Sequence, residues 1–214
     1  DETVAFVEKH KNNPFFAFLS FYTVHNPMQG KPEKIEKYRQ KAERLGLLQQ
    51  PQFNDNPEWA KSVGKGNWKE RLLQSHADYA AMVESLDENV GKVMNKLEEL
   101  GLAENTILFF MSDNGGLSTA EGSPTTNAPL RAGKGWLYEG GIREPMIVKW
   151  PGKVKPGSQC SEPVISTDFY PTILEMAGLP LMPQQHKDGV SLIPLLTGTG
   201  RLNRDAIFWH YPHY

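Results

Sequence analysis

The sequence predicts an α/β fold with a mixed, mostly parallel sheet flanked by helices, and three observations lead there. Two apolar runs of strand length, Phe15–Tyr22 and Thr106–Met111, read as strands buried on both faces. Between them, from His76 to Leu100, apolar residues recur at spacings of three and four, the stripe of a long helix. Strand, excursion, helix, strand is the order of a βαβ unit, whose strands run parallel and whose helix covers a sheet face.

Taken in order, Thr3–His10 is the end of an amphipathic helix carrying Val4, Phe6 and Val7, and Asn12-Asn13-Pro14 stops it. Phe15–Tyr22 follows as the first strand. Residues 26 to 75 form a polar excursion with a short helix from Pro32 to about Leu47 and a loop rich in Gln, Asn, Gly and Trp, and nothing there forms a core by itself. The long helix carries Tyr79, Met82, Val83, Leu86, Val90, Val93, Met94, Leu97 and Leu100 on a face that should pack on the sheet, and Gly101 suits the position just past its end. Pro145–Trp150 is a third strand and Val164–Ser166 a short fourth. Ser166 or Thr167 can cap a helix running through Gly178, with Asp168 in its first turn and Pro171 early enough to be tolerated. Beyond Leu179 the chain is Pro-rich and loop-like until Ala206–Tyr211, and no internal repeat is present.

Composition narrows the function classes. The 214 residues suit one large domain or one and a half, against roughly 100 to 200 residues for a typical domain. Apolar residues make up 39% and charged residues 22%, and 23 Lys+Arg nearly balance 25 Asp+Glu. That balance indicates neither a disordered polyelectrolyte nor a nucleic-acid binder. The longest apolar stretch, Phe15–Val24, is too short to span a bilayer, which takes about 20 residues, so a soluble chain is expected. The single cysteine, Cys160, excludes an internal disulfide framework and a Cys-based zinc site. Residue 1 is Asp and the chain stops in an aromatic run, so an excised piece of a longer protein is expected.

The 30-residue loop from 112 to 141 is longer than an ordinary connection, and such loops are usually functional or disordered. Asp113-Asn114-Gly115-Gly116 sits just beyond a strand's carboxyl end, where open α/β sheets bind ligands. A carboxylate beside a carboxamide oxygen suits a hard cation such as Ca²⁺ or Mg²⁺, though the same residues also make a plain turn. Farther along, Lys134 stands between Gly133 and Gly135, so little side-chain bulk keeps its ammonium from an anion. The segment lacks P-loop spacing, and a solvated surface lysine fits it as well. His25, at the end of the first strand and before Asn26-Pro27, could act as a general acid or anion contact, or be an ordinary loop histidine. Together His25, Asp113, Asn114 and Lys134 fall at strand ends on one edge of the sheet.

Ser112-Asp113-Asn114-Gly115-Gly116, then Gly133-Lys134-Gly135, then Tyr138-Glu139-Gly140-Gly141-Ile142-Arg143-Glu144-Pro145 resembles, in order and spacing, the type I sulfatases, the arylsulfatase branch of the alkaline phosphatase superfamily. Pro14-Phe15-Phe16 leading to His25-Asn26-Pro27, Thr167-Asp168-Phe169-Tyr170-Pro171-Thr172 and Asp188-Gly189-Val190-Ser191-Leu192 extend the likeness over nearly the whole chain. The resemblance implies an alkaline phosphatase-like fold, incomplete here. Residues 1–200 would be the C-terminal portion of the catalytic α/β domain and 201–214 the beginning of a small C-terminal subdomain.

It also implies a site. A Ca²⁺, less often Mg²⁺, would be held by two Asp near the protein's N-terminus together with Asp113 and Asn114. Lys134 would contact the sulfate and the nucleophile, and His25 would bind the ester oxygen and protonate the leaving alcohol. His210 and His213 would line the substrate pocket, although outward-facing histidines on a small antiparallel sheet fit that stretch too. In the family the nucleophile is a hydrated formylglycine made from Cys or Ser in a Cys/Ser-x-Pro/Ala-x-Arg motif. Here the only cysteine reads Cys160-Ser161-Glu162-Pro163-Val164, which is not that motif, and no early pair of adjacent Asp is present. The resemblance thus implies the middle and C-terminal part of a larger sulfatase, inactive and weakly metal-binding by itself, whose partner is the missing N-terminal part. The implied substrate is an aryl or carbohydrate sulfate ester and the implied location periplasmic, secreted or lysosomal. A phosphoesterase or phosphonate monoester hydrolase of the same superfamily, and a non-catalytic anion-binding relative, are the alternatives. An Asp-Asn pair followed by one Lys favours the single-metal sulfatases.

Overall fold

The computed structural model describes residues 1–63 and 68–212. Its elements are α1 (Glu2–Lys9), α2 (Pro32–Arg44), β1 (Phe53–Asn54), β2 (Glu70–Arg71), α3 (Ala77–Glu99), β3 (Leu108–Met111), α4 (Glu139–Ile142), β4 (Met146–Lys149), α5 (Phe169–Met176) and α6 (Ile193–Thr197), with 3-10 turns between some of them. The class is α/β, as the sequence predicts. Contacts gather into two units, residues 1–104 with 111–146, and residues 105–110 with 147–212.

In the first unit α3 is the longest element. His76 caps it, its Nδ1 accepting the Tyr79 N–H at 3.2 Å, and Gly101, with φ of +68°, turns the chain out of it. Its apolar stripe packs against α1 and α2 rather than on a sheet, burying Ala81, Met82 and Leu97 with Val7 of α1 and Ala42 of α2. A 3.6-residue period shows that one face is covered but not what covers it, and here that is helix. Polar ties finish the α2–α3 contact: Lys34 reaches Glu88 at 2.6 Å and Ser85 Oγ at 3.2 Å, and Lys37 reaches Glu84 at 2.9 Å.

His76 gives this unit a pH dependence. Burial first, and then the positive charge of Arg71, hold the His76 pKa below its ordinary 6.5, with Asp78 opposing. The folded protein therefore binds fewer protons here than the unfolded chain, and stability is complete above about pH 6.5 and declines as pH falls from there toward the folded value. Protonating Nδ1 would also take the acceptor away from Tyr79 and put positive charge at a helix N-terminus. In the full-length protein, the urea midpoint of this unit should drop between about pH 7.5 and 5. In His76→Asn, whose carboxamide caps without titrating, the drop should be smaller; equal slopes for the two proteins would remove His76 as the cause.

A further expectation fails in the first unit. Phe15–Tyr22 joins no ladder among the described residues, and Phe16, Phe18, Leu19 and Tyr22 are exposed. An apolar run becomes a strand only where a neighbouring strand supplies hydrogen bonds, and none of the described residues does so. The excursion builds its core jointly with the later loop. Its Trp59 and Ala60 are buried with Ala132 and Trp136 of the later loop, and Trp68 and Tyr138 pack against them. The Trp59 and Trp136 ring centroids lie 4.6 Å apart. β1 and β2 close the excursion as an antiparallel pair, Phe53 opposite Arg71 and Asn54 opposite Glu70.

In the second unit β3 and β4 form a two-stranded sheet, and Phe109 meets Phe169 of α5 edge-on at 5.5 Å. Val164–Ser166 is not a strand, because the chain enters a 3-10 turn at Ser166–Asp168 that leads directly into α5. Neither Ser166 nor Thr167 caps that start. Ile165 stands at the cap of the turn, and the fully buried Asp168 at its third position bonds back to it, Oδ2 accepting the Ile165 N–H at 2.9 Å while Oδ1 accepts from Val190 N–H at 3.0 Å and Arg204 Nη1 at 2.7 Å. A carboxylate has lone pairs for all three donors, whereas a hydroxyl does not. Thr172 Oγ1 donates to Asp168 O at 2.6 Å and accepts the Leu192 N–H at 2.8 Å, which fastens the α6 end of the unit to α5. Ala206–Tyr211 is not assigned to a strand among the described residues. No described helix is long and apolar enough to cross a membrane.

Candidate active site

β3 ends at Met111 and hands the chain to the long loop, where Ser112 Oγ donates to Asn114 O at 2.9 Å and sets the turn. Asp113 is exposed and Asn114 half-buried. The Asn114 Nδ2 donates to Gly115 O at 3.0 Å, which leaves Oδ1 as the free ligand atom of that side chain. Glu144 stands close to this pair: burial, and then the Asp113 charge, push its carboxyl pKa up.

Glycines let three separate stretches of the loop touch backbone to backbone. Gly115 N–H donates to Gly141 O at 3.0 Å, and a Cβ on Gly115 would lie 1.7 Å from Gly140 O. A Cβ on Gly133 would lie 2.4 Å from Gly116 O. At these two positions a side chain has no room, which is why the Asp-Asn-Gly-Gly, Gly-Lys-Gly and Glu-Gly-Gly-Ile segments can share one small volume.

The Lys134 N–H donates to Gly116 O at 3.1 Å, so its backbone is joined to the turn that carries Asp113 and Asn114. Its side chain is half-buried, and among the described residues its ammonium has neither an ion pair nor a hydrogen bond. Asn127 sits between the two segments. Its Oδ1 accepts the Gly116 N–H at 3.0 Å, and its Nδ2 faces Gly116 O at 2.8 Å, Ala132 O at 3.0 Å and Ser118 Oγ at 3.3 Å.

The excursion braces the loop from outside through β2. Glu70 accepts the Ala132 N–H at 3.2 Å and Trp59 Nε1–H at 3.1 Å, and the Arg71 N–H donates to Ser118 O at 3.0 Å. The buried Arg71 guanidinium donates to Ser123 O and, at 3.0 Å, to Ser75 Oγ. Trp136 Nε1–H completes the frame by donating to Thr119 Oγ1 at 3.0 Å.

His25 belongs to the same unit and is exposed. Its Nδ1 lies 2.9 Å from Asn26 O, which can only accept, so Nδ1 carries the proton and Nε2 is left to outside partners. Asn26 Nδ2 donates to Glu121 Oε2 at 2.9 Å, which ties the His25 segment to the long loop. No hydrogen bond or ion pair joins His25 to Lys134 or Asp113 among the described residues. His210 is exposed and lies in the second unit, and His213 lies outside the described residues. Cys160 is exposed and free. The structure thus brings Asp113, Asn114 and Lys134 onto facing segments of one loop and links His25 to that loop's middle. Sequence reasoning gave no role to Asn127, Glu70, Arg71 or Glu144.

Chemically, two hard oxygen donors on a turn fit one side of a Ca²⁺ or Mg²⁺ site, which takes six or more oxygens. They do not complete one, since no group of three or more His, Cys, Asp or Glu able to hold a metal occurs among the described residues.

Fold and loop together define an α/β chain that presents hard oxygen donors and a lysine without an ion pair among the described residues on facing segments. Comparison with known proteins places that chain. The sequence profile of the family described as Sulfatase matches residues 1–179, and the chain belongs to the sulfatase family. A sulfatase of Formosa agariphila is 36% identical over 229 residues, covering 100% of this chain and 36% of its own length. Human arylsulfatase A is 38% identical, covering 77% of this chain and 29% of its own, and mouse steryl-sulfatase is 31% identical, covering 99% and 29%. Among solved structures, Ps i-CgsB in complex with k-i-k-neocarrahexaose superposes with a TM-score of 0.68 at 33% identity, over 90% of this chain and 36% of that one. PsFucS1 sulfatase from Pseudoalteromonas sp. gives 0.64 at 27%, over 92% and 33%. The chain therefore spans about a third of the length of the relatives it matches.

Proposed function

We propose that this chain is the metal- and lysine-bearing part of a sulfuric ester hydrolase acting on an aryl or carbohydrate sulfate. The observation that carries the reading is the bond from Lys134 N–H to Gly116 O, which ties the Lys134 backbone to the turn that carries Asp113 and Asn114, while the ammonium has no ion pair among the described residues. In this reading Asp113 and Asn114 Oδ1 are ligands of a Ca²⁺ or Mg²⁺. That cation, when bound, supplies positive charge against the sulfate oxygens. Lys134 binds the same sulfate and stabilises the charge that grows on it as the ester bond breaks. His25, in its imidazolium form with Nδ1–H held by Asn26 O, hands its Nε2 proton to the departing alcohol oxygen. The nucleophile of the family, formylglycine, is not supplied by Cys160, whose flanking residues do not fit the motif. It belongs to the remaining part of the full-length protein, without which this chain is inactive. The relatives named as an arylsulfatase and as a structure holding a carrahexaose support an aromatic or carbohydrate alcohol as the leaving group. A periplasmic, secreted or lysosomal location follows from the same family reading.

The test uses the full-length protein with 4-nitrophenyl sulfate, 4-nitrophenyl phosphate and metal analysis by mass spectrometry. The sulfate ester should turn over well ahead of the phosphate, and Asp113→Asn should lower both bound metal and turnover by about tenfold or more, one charged ligand having been removed. Preference for the phosphate would favour the phosphoesterase alternative. Unchanged metal content in Asp113→Asn would refute its assignment as a ligand.

A further inference from the structure

We propose that Asn127 is a positioning residue that sets the distance between the metal-side turn and Lys134. Its carboxamide meets Gly116 as a strand neighbour would, accepting from the N–H at 3.0 Å and donating to the C=O at 2.8 Å. Gly116 is three residues after Asp113, and the same Gly116 O accepts the Lys134 N–H at 3.1 Å. Nδ2 also reaches Ala132 O at 3.0 Å, two residues before Lys134. One side chain therefore fixes both segments by main-chain bonds and touches neither functional side chain. The Gly133 backbone packs so close that a Cβ there would lie 2.6 Å from Asn127 Nδ2, so the carboxamide fills its slot without slack. Without it, Gly116 N–H loses its acceptor in a half-buried place, and of the ties beside it the Lys134 N–H bond to Gly116 O and the Ser118 Oγ bond to Ala132 O at 3.0 Å remain, neither of which holds Gly116 N–H.

The inference rests on the sulfatase reading for its kinetic readout, so Lys134→Ala is measured beside it. In full-length Asn127→Ala, kcat for 4-nitrophenyl sulfate should fall about 10²-fold, the order expected when a reacting group is displaced by about 1 Å. KM should stay within about twofold, because the substrate still meets the same side chains. Hydrogen exchange at the amides of Gly116 and Lys134 should quicken, while that of α3 stays as in the parent. Asn127→Ser, whose hydroxyl keeps one donor or acceptor, should lie between Ala and the parent in kcat and serves as the working variant if the alanine protein does not fold. A lowered melting temperature with unchanged kcat would make Asn127 merely structural and overturn the proposal, as would unchanged amide exchange. If Lys134→Ala is as active as the parent, the sulfatase reading fails instead, and amide exchange then decides the positioning role alone.

Discussion

Lys134→Ala in the full-length protein is expected to lower turnover of an aryl sulfate by roughly 10²–10³-fold, the cost of removing one preorganised charge from a developing anion. The fold should survive. The Lys134 backbone bond to Gly116 O does not involve the side chain, and the ammonium has no ion pair or hydrogen bond among the described residues whose loss would unsettle the loop. Circular dichroism and melting temperature should therefore match the parent while kcat collapses. Lys134→Arg should not restore the rate fully, because a planar guanidinium between two glycines places its charge farther out and in a different shape. Turnover within a few-fold of the parent in Lys134→Ala would end the assignment.

The second large effect concerns stability. Asp168→Ala is expected to destabilise the second unit by about 3–5 kcal/mol, the usual cost of removing one partner of a buried ion pair. Asp168 is fully buried and the Arg204 side chain only 13% exposed, so the guanidinium left behind has little water to replace the carboxylate. The Ile165 and Val190 N–H groups lose their acceptor in the same stroke. Urea unfolding monitored by Trp and Tyr fluorescence would report it. The double variant Asp168→Ala with Arg204→Met should recover part of the loss, since it removes the stranded charge. A single variant less than about 1 kcal/mol below the parent would show that the pair is far better hydrated than its burial indicates.

Helices were legible wherever period and punctuation agreed. α2 starts at Pro32 and α3 fills the stripe expected of it, Gly101 ends α3 where the pattern stops, and α5 starts at Phe169, past the two caps expected for it. Strands were harder to read because a strand is a relation between two segments. Phe15–Tyr22 has the composition of one but no partner among the described residues, whereas Phe53–Asn54 and Glu70–Arg71, polar and short, pair with each other. The site shows the same division. Asp113, Asn114 and Lys134 could be singled out because their residue types and glycine neighbours are visible along the chain. Asn127 and Glu70 could not, because what they do depends on segments 11 and 62 residues away that only the folded chain brings to them. The tryptophan cluster is a further case: Trp59 and Trp136 look like scattered aromatics until their rings meet.

The way the excursion is fastened bears on how such chains diversify. Residues 26–75 reach the Lys134 loop partly through side chains, Asn26 to Glu121 and the Trp59 ring to the Trp136 ring, and partly through a small clip, Glu70 and Arg71, whose bonds to Ala132, Ser118 and Ser123 run to main chain. Main-chain sockets tolerate drift in the sequence around them. Lineages can therefore lengthen, shorten or exchange the stretches between the clip residues while the chemistry next door keeps its shape. The glycine-packed loop has no such latitude, because a Cβ at Gly115 or Gly133 would meet backbone of a facing segment.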